Sequence, residues 1–551
     1  MTTAPSTRRR DAPTMAGMRI LSRAVLAVAL LLPTGVAGVS GAAGAEPEFP
    51  AGDTGYSTYP EMVAEVARAA ADHPAIVQRF SIGKSHQGRD LWAVKISDDV
   101  ATDEAEPEVL FDGLHHGDEH MSLEMTLAIL RWLTDGYDAG DGTIRNLVDT
   151  REIWIVFAVN PDGATYDIAG SGTYRNWRKN RQPTSGSSSI GTDLNRNYPY
   201  RWGCCGGSSA TPSSSRFRGR SALSAPETRA MTDFVRSRVV GGRQQIRAAI
   251  SFHTTGRLVM YPYGYTLTNT PRDMTRDDRA VFVEMARRMA ATNGYRAIQA
   301  SDLYVSSGTS RDWLYGTYRT FAFTIELSPD RTPFPADERI PSETGRNRTA
   351  VLDLIALAGC PFDVIGKGPA RCGAFDDDLE VARGWKRDAQ GTDTATGGRW
   401  QRADPAATSA AGPKQPGTTP SGIRSLVTGA AAGASPGAND LDGGTTSVTS
   451  PAIVLPTAAG QRLTLRYVFA HSAASGPSDW FRVEVLDAGG TPTTVLHVPG
   501  AARDRDAAWA SLSTSLDAWA GQTIRLRLSA RDGGAGNLVE AAVDDVRITR
   551  P

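Results

Sequence analysis

The 551 residues carry 59 lysines and arginines against 60 aspartates and glutamates, a formal net charge of -1, and 40% of them are hydrophobic. A chain so close to neutral has no overall field to draw in nucleic acid or an anionic lipid surface, so neither is expected as a partner. The length exceeds one ordinary domain, and two or three are expected.

Arg8, Arg9, Arg10, Arg19 and Arg23 surround or precede an apolar run from Ala24 to about Val36, and small residues then lead to Ala43-Gly44-Ala45. This is the layout of an export signal, so residues 1–45 are expected to be removed, with Glu46 the first mature residue and the protein secreted to the extracellular space. The apolar run is too short for a comfortable membrane span, and no other stretch reads as one. Four cysteines suit an exported chain with few crosslinks. Cys360 and Cys372 bracket a short loop and are expected to pair. Adjacent Cys204 and Cys205 are open to a vicinal disulfide, to reduced thiols or to other partners.

From Tyr56 to Cys360 helical and strand patterns alternate. Glu61 to Ala71 has apolar residues at helical spacing. Glu108 to Phe111, Ile153 to Val159, Ala248 to Phe252 and Phe321 to Ile325 read as near-continuous apolar strands, which need cover on both faces. An α/β fold is expected, with a mixed, mostly parallel sheet between helices. After Cys372 helical periodicity vanishes and Gly, Ser, Thr, Ala and Pro dominate. Strand-like segments at Leu379 to Val381, Gly384-Trp385, Arg462 to Val468, Trp480 to Leu486, Thr523 to Ser529 and Ala542 to Ile548 predict an all-β sandwich. The tract from Asp404 to Asn439 reads as a long loop within it. The expected domains are a signal peptide (1–45), a catalytic domain (46–373) and a β-sandwich accessory domain (374–551).

Polar residues able to do chemistry sit where the front strands stop. His116 and Glu119 follow the first strand, in a stretch holding three of the chain's eight histidines. His253 follows the third strand, and Glu326 ends the fourth. Two imidazoles and one carboxylate form a three-ligand shell for a single catalytic zinc, with a fourth position left for water. A separate carboxylate can then take a proton from that water. Arg178, Asn195, Arg196 and Tyr304 lie between them in sequence and suit an anionic substrate.

These stretches bring a resemblance with them. Gly113-Leu114-His115-His116-Gly117-Asp118-Glu119-His120, Trp177-Arg178-Lys179, Gly191 to Asn197, Ser251-Phe252-His253, Tyr304 to Trp313 and Phe323 to Leu327 run in the order found in the zinc metallocarboxypeptidases. The chain resembles the pancreatic A/B type, and more closely bacterial carboxypeptidase T. The resemblance implies that His116, Glu119 and His253 bind zinc, and that Glu326 is the general base. It implies that Arg178 shares the developing oxyanion, and that Asn195, Arg196 and Tyr304 hold the terminal carboxylate of a peptide. Asp193 is similar to the acceptor that orients a zinc histidine. The implied activity is zinc-dependent removal of C-terminal residues from peptides or proteins with a free C-terminus, by a monomer.

Three positions depart from the pancreatic pattern. Asp118 replaces an arginine and Thr255 a tyrosine, so contacts upstream of the cut are expected to be lost. Arg311 stands at the floor of the pocket for the departing side chain, where it would favour an acidic C-terminal residue or leave a broad preference. The alternatives are a zinc amidase acting on cell-wall peptides and a non-catalytic surface-binding protein. The sandwich resembles jelly-roll accessory domains of secreted hydrolases. Its Trp385, Trp400 and Trp480 can serve sugar binding or its core. Asp376-Asp377-Asp378 and Asp440-Leu441-Asp442 can hold calcium or form plain turns.

Overall fold

The computed structural model describes residues 47–104, 106–170, 172–240, 242–328, 333–433, 435, 437–534 and 537–550. The expected export signal lies outside them. Eight strands form the front sheet: β1 (Val77–Lys84), β2 (Asp90–Ile96), β3 (Glu108–Asp112), β4 (Glu152–Val156), β5 (Ile246–Thr254), β6 (Leu258–Tyr261), β7 (Arg296–Gln299) and β8 (Phe321–Leu327). Their spatial order is β1-β2-β4-β3-β5-β8-β6-β7. The central four, β4-β3-β5-β8, run parallel, while β1, β2 and β6 join antiparallel.

Every residue of β3 and β4 is buried, because helices cover both faces. Alternate residues divide between two cores, as the two-residue period of a strand requires. Val109 and Phe111 face helices α2 (Met121–Asp138), α6 (Arg276–Asn293) and α9 (Ile340–Leu357). Leu110 faces α5 (Pro226–Ser237) and α8 (Ser310–Tyr318). The predicted first helix, α1 (Tyr59–Asp72), is started by a reciprocal cap between Thr58 and Glu61 and buries Met62 and Val66. The predicted strand from Ile153 to Val159 stops at Val156. Beyond it Phe157 to Val159 stay buried but leave the ladder and lead into helix α4 (Pro161–Ile168).

From Phe375 onward the chain is almost all β. One sheet has the order β10 (Trp400–Ala403), β11 (Ser425–Thr428), β18 (Val539–Thr549), β13 (Arg462–His471), β16 (Ala510–Ser515), with β9 (Phe375–Asp377) also paired to β18. The other runs from the two-residue strand Lys386–Arg387 through β12 (Gly444–Thr449), β17 (Thr523–Asp532) and β14 (Trp480–Leu486) to β15 (Pro492–Pro499). All pairings are antiparallel, and Leu463, Leu465 and Val543 of one sheet meet Phe481, Val483 and Leu526 of the other in one core. This is the expected sandwich.

Two local readings are corrected. Leu379 to Val381 and Gly384-Trp385 are not strands. Leu379 takes a left-handed φ of 59°, and the Asp377 and Asp378 carboxylates accept the Leu379 and Glu380 amides, which makes a turn. The tract from Asp404 to Asn439 is more than a loop, since it supplies the buried strand β11.

Trp400 is a core residue, Trp385 donates to Asp377, and Trp480 carries the Arg482 guanidinium over its ring. Asp376 is held by Arg371 and Arg547. Asp440 is buried with Oδ2 accepting the Val539 amide. Both disulfides form, Cys360–Cys372 as expected and Cys204–Cys205 as a vicinal pair.

Candidate active site

The carboxyl ends of β3, β5 and β8 meet around one cavity of about 40 Å³. His116, Glu119, Arg178, Asn195, Arg196, His253, Tyr304, Arg311 and Glu326 all line it, so residues separated by as much as two hundred positions share one site. Asp193 sits directly behind them.

His116 and Glu119 occupy the turn between β3 and α2. Gly117 lets this turn press against its neighbours: a Cβ there would lie 2.5 Å from the Gly163 carbonyl carbon and 2.6 Å from the Trp177 carbonyl oxygen. His116 Nδ1 is 2.8 Å from Glu119 Oε1, His253 Nδ1 is 2.7 Å from Glu119 Oε2, and the two Nδ1 atoms are 3.1 Å apart. His116 Nε2 lies 3.2 Å from Asp193 Oδ1. Despite burial, Arg178, Arg196 and His116 hold Asp193 well below the usual carboxylate range. An ionised Asp193 only accepts, so the Nε2 proton points to it and the Nδ1 lone pair points into the cluster. Two imidazole nitrogens and a carboxylate crowding one point fit a borderline-soft divalent cation, zinc above all. Burial opposes the charge on Glu119, but His116 and His253 outweigh it and keep the group ionised.

Arg178 donates through Nε to Asp193 Oδ2 at 3.1 Å, and its Nη1 lies 3.5 Å from Glu119. Asp193 therefore fixes an imidazole with one oxygen and a guanidinium with the other. Asn195 Oδ1 accepts the Ser310 amide at 2.9 Å, which ties the Asn195–Arg196 turn to the start of α8. Arg196 Nη2 donates to the Tyr304 hydroxyl at 3.3 Å, and Arg196 Nε is buried without a partner among the described residues. Tyr304 is 45% exposed and stands at the cavity mouth.

Glu326 pairs with His253 across the β5/β8 ladder, on the same rung. It faces the cavity and accepts no hydrogen bond from the described residues. Burial, with Glu119 adding to it, pushes its carboxyl up to about 8. Arg311 is buried in the floor, where Nη1 donates to Thr324 Oγ1 at 3.1 Å and Nε to Asp312 Oδ1 at 3.2 Å, while Nη2 lies 3.2 Å from the same Asp312 oxygen and makes no hydrogen bond among the described residues. Asp312 is also held by the Gly264 and Tyr265 amides.

A supporting chain behind His253 escaped the sequence reading. Ser251 Oγ donates to Asp112 Oδ1 at 2.6 Å and lies 3.4 Å from His253 Nε2 and 3.3 Å from His115 Nδ1. Its signal was available: residue i−2 of a strand shares the face of residue i. Asp118, next to Glu119, is half-buried, and desolvation with Glu119 beside it raises its carboxyl to about 6.

Known proteins match this architecture. The zinc carboxypeptidase family matches residues 62–350, more than half of the chain. The chain belongs to the zinc carboxypeptidase family. It is 46% identical over 323 residues to a zinc carboxypeptidase of Saccharothrix mutabilis subsp. capreolus, covering 58% of this chain and 73% of the relative. It is 32% identical over 297 residues to a zinc carboxypeptidase of Simulium vittatum, covering 52% and 91%. Human carboxypeptidase A1 is 30% identical over 292 residues, 52% of this chain and 66% of the relative. Among solved structures, thrombin activatable fibrinolysis inhibitor superposes with a TM-score of 0.50 at 25% identity, over 55% of this chain and 74% of that one. This zinc carboxypeptidase is an enzyme, as expected, and the alternative of a non-catalytic surface-binding protein falls.

Proposed function

We propose that this chain is a secreted carboxypeptidase in which Glu326 is the general base and the arginines of the same cavity hold the charges of substrate and transition state. The observation that carries the reading is the company of Glu326. An unpartnered carboxylate shares a 40 Å³ cavity with two imidazoles, a second acid and three guanidiniums. His116, Glu119 and His253 would hold the zinc. When bound, zinc polarises carbonyl groups and brings the pKa of water to about 7.

The chain's own residues then divide the work. Asn195, Arg196 and Tyr304 bind the terminal carboxylate of the peptide. The planar fork of Arg196 offers two parallel donors, one of them an Nε that nothing else uses. Tyr304, exposed at the mouth, closes over that carboxylate and keeps water out. Glu326 takes a proton from the attacking water at its carboxylate and passes it to the departing amine nitrogen. Arg178, locked by Asp193, faces the oxygen on which negative charge develops, a contribution of about 2.7–4 kcal/mol for such a donor.

The reading extends to the departing side chain. Arg311 has one unused donor, Nη2, while Asp312 takes part of its charge. An acidic C-terminal residue is therefore preferred, less sharply than an unpaired arginine would impose. The carboxylate clamp favours a free peptide C-terminus over the cell-wall amidase reading. The catalytic unit is taken to end at residue 373, since the last α-helix among the described residues ends at Arg371 and the sandwich strands begin at Phe375.

The test is release of C-terminal amino acids from peptides ending in Glu, Lys, Leu or Phe, with and without a chelator. Release that stops on chelation and falls by two to four orders of magnitude in Glu326→Gln, with zinc content unchanged, is expected. A Glu326→Gln enzyme of full activity overturns the general-base role, and Glu ranking last among the four overturns the preference.

A further inference from the structure

A second concentration of positive charge lies away from the active site. Arg247 is the second residue of β5, whereas His253 is near its other end; six strand residues, roughly 20 Å, separate them. Arg243 precedes it on a short hairpin in which Val240 pairs with Arg243. Arg383 comes from the other side, in the loop after β9 of the sandwich. Two adjoining cavities, of about 310 Å³ and about 100 Å³, are both lined by Arg243, Arg247, Arg383 and Asp376. The α/β part and the sandwich touch here. A Cβ at Gly242, whose φ is +81°, would lie 2.7 Å from the Arg383 carbonyl carbon.

Most acids nearby are already committed: on the wall of the smaller cavity Asp278 is held by Arg371 and the Tyr315 hydroxyl, and Asp378 accepts the Glu380 amide. Asp376 gives Oδ2 to Arg371 at 3.0 Å and Oδ1 to Arg547 at 2.9 Å. Asp377 lies 3.5 Å from Arg383 but accepts from Trp385 and the Leu379 amide as well. Glu106, on the wall of the larger cavity, has Arg151 as its cationic neighbour and keeps Oε2 buried without a partner among the described residues. Among the described residues Arg243 and Arg247 make no side-chain ion pair or hydrogen bond, and their Nε atoms are buried without partners, while Arg383 Nε has only the 3.5 Å ion pair with Asp377. Burial first, and then the Arg243 and Arg383 guanidiniums, push Arg247 well below the usual arginine range, and burial with Arg383 brings Arg243 down to about 10.

Charges gathered this way are costly to desolvate unless something neutralises them. Guanidinium forks match the oxygens of tetrahedral anions two at a time, and three forks suit an ion with more than one charge. The larger cavity exceeds the room one water needs by more than an order of magnitude. We propose that Arg243, Arg247 and Arg383 form a binding site for a small, free, multivalent tetrahedral oxyanion of the sulfate or phosphate class, which ties the α/β part to the sandwich. The site goes beyond peptide hydrolysis and does not depend on the reading of the active cavity.

The test uses the full-length zinc enzyme and sodium sulfate as the probe, against sodium chloride at equal ionic strength. Melting temperature should rise saturably with sulfate in the low millimolar range. Arg247→Met and Arg243→Met should each weaken the apparent affinity at least tenfold, while peptidase activity stays at the wild-type level. Without sulfate each variant should melt no lower than wild type, because one of three mutually repelling charges is gone. Arg383→Met, from the sandwich side, should lose the response in the same way. A sulfate response that is absent, unsaturable or equal in the variants overturns the proposal. So does a sulfate-free loss of melting temperature in all three variants, since the guanidiniums would then be held by the protein itself.

Discussion

Arg311→Met is the sharpest test of how the active cavity reads its substrate. The arginine spends Nη1 on Thr324 and Nε on Asp312, while Nη2 lies 3.2 Å from Asp312 Oδ1 without a hydrogen bond among the described residues. A hydrogen bond to a charged partner contributes about 1.5–3 kcal/mol. At about 1.4 kcal/mol per decade, losing one such contact lowers kcat/KM for a peptide ending in Glu by roughly 10- to 150-fold. Methionine nearly preserves the volume, so peptides ending in Leu should change little. Asp312 would remain, buried and bonded to the Gly264 and Tyr265 amides, with its cation gone. Its uncompensated charge should raise kcat/KM for peptides ending in Lys relative to Leu. The assay is kcat/KM on three peptides that differ only in the last residue, for both enzymes. An unchanged Glu-to-Leu ratio refutes the reasoning, because it means that Arg311 is wholly consumed by Asp312 and Thr324.

Asp193→Asn removes the charge that orients both His116 and Arg178 and should cost 10- to 100-fold in zinc affinity or activity, read by metal competition and by kcat/KM. Tyr304→Phe deletes the hydroxyl that accepts from Arg196 at 3.3 Å; KM should rise several-fold while kcat changes less, since the contact serves binding. In the sandwich, burial and Asp545 push Asp544 up to about 9. Its folded pKa lies above its unfolded one, so its stabilising contribution is complete below about pH 4 and is lost as pH rises towards 9. Asp544→Asn should flatten that part of the pH–melting curve and raise the melting temperature at pH 8 relative to wild type. A variant that follows the wild-type curve throughout contradicts the assignment.

Much of the front half was legible because its signals are local. A buried strand announces itself by continuous apolar residues, and the polar side chains just past each strand end mark the edge where a ligand can sit. His116 and Glu119 are three positions apart, so a single turn brings them together. The ends of elements were less legible. Phe157 to Val159 look like strand because they are apolar and buried, but only single amide bonds, from Phe157 to Trp92 and from Val159 to Gly113, tie them to neighbours, too few to extend the paired ladder. Leu379 to Val381 look like strand by composition, and the turn is made by Asp377 and Asp378 accepting backbone amides, which competes with extended structure.

The residue types needed for a three-ligand cation shell, a spare acid and a carboxylate clamp are written in the order of the chain, as is the switch from alternating α/β to all-β texture. Charge balance is not written there. Whether a guanidinium is free depends on which distant acid shares its burial. Arg311 finds Asp312 beside it, while Glu326 finds no hydrogen-bond donor among the described residues. Arg243 and Arg247 meet Arg383 only because the sandwich folds back onto the sheet. Desolvation and Coulomb energies are set by three-dimensional separation, and only the tertiary structure specifies that separation.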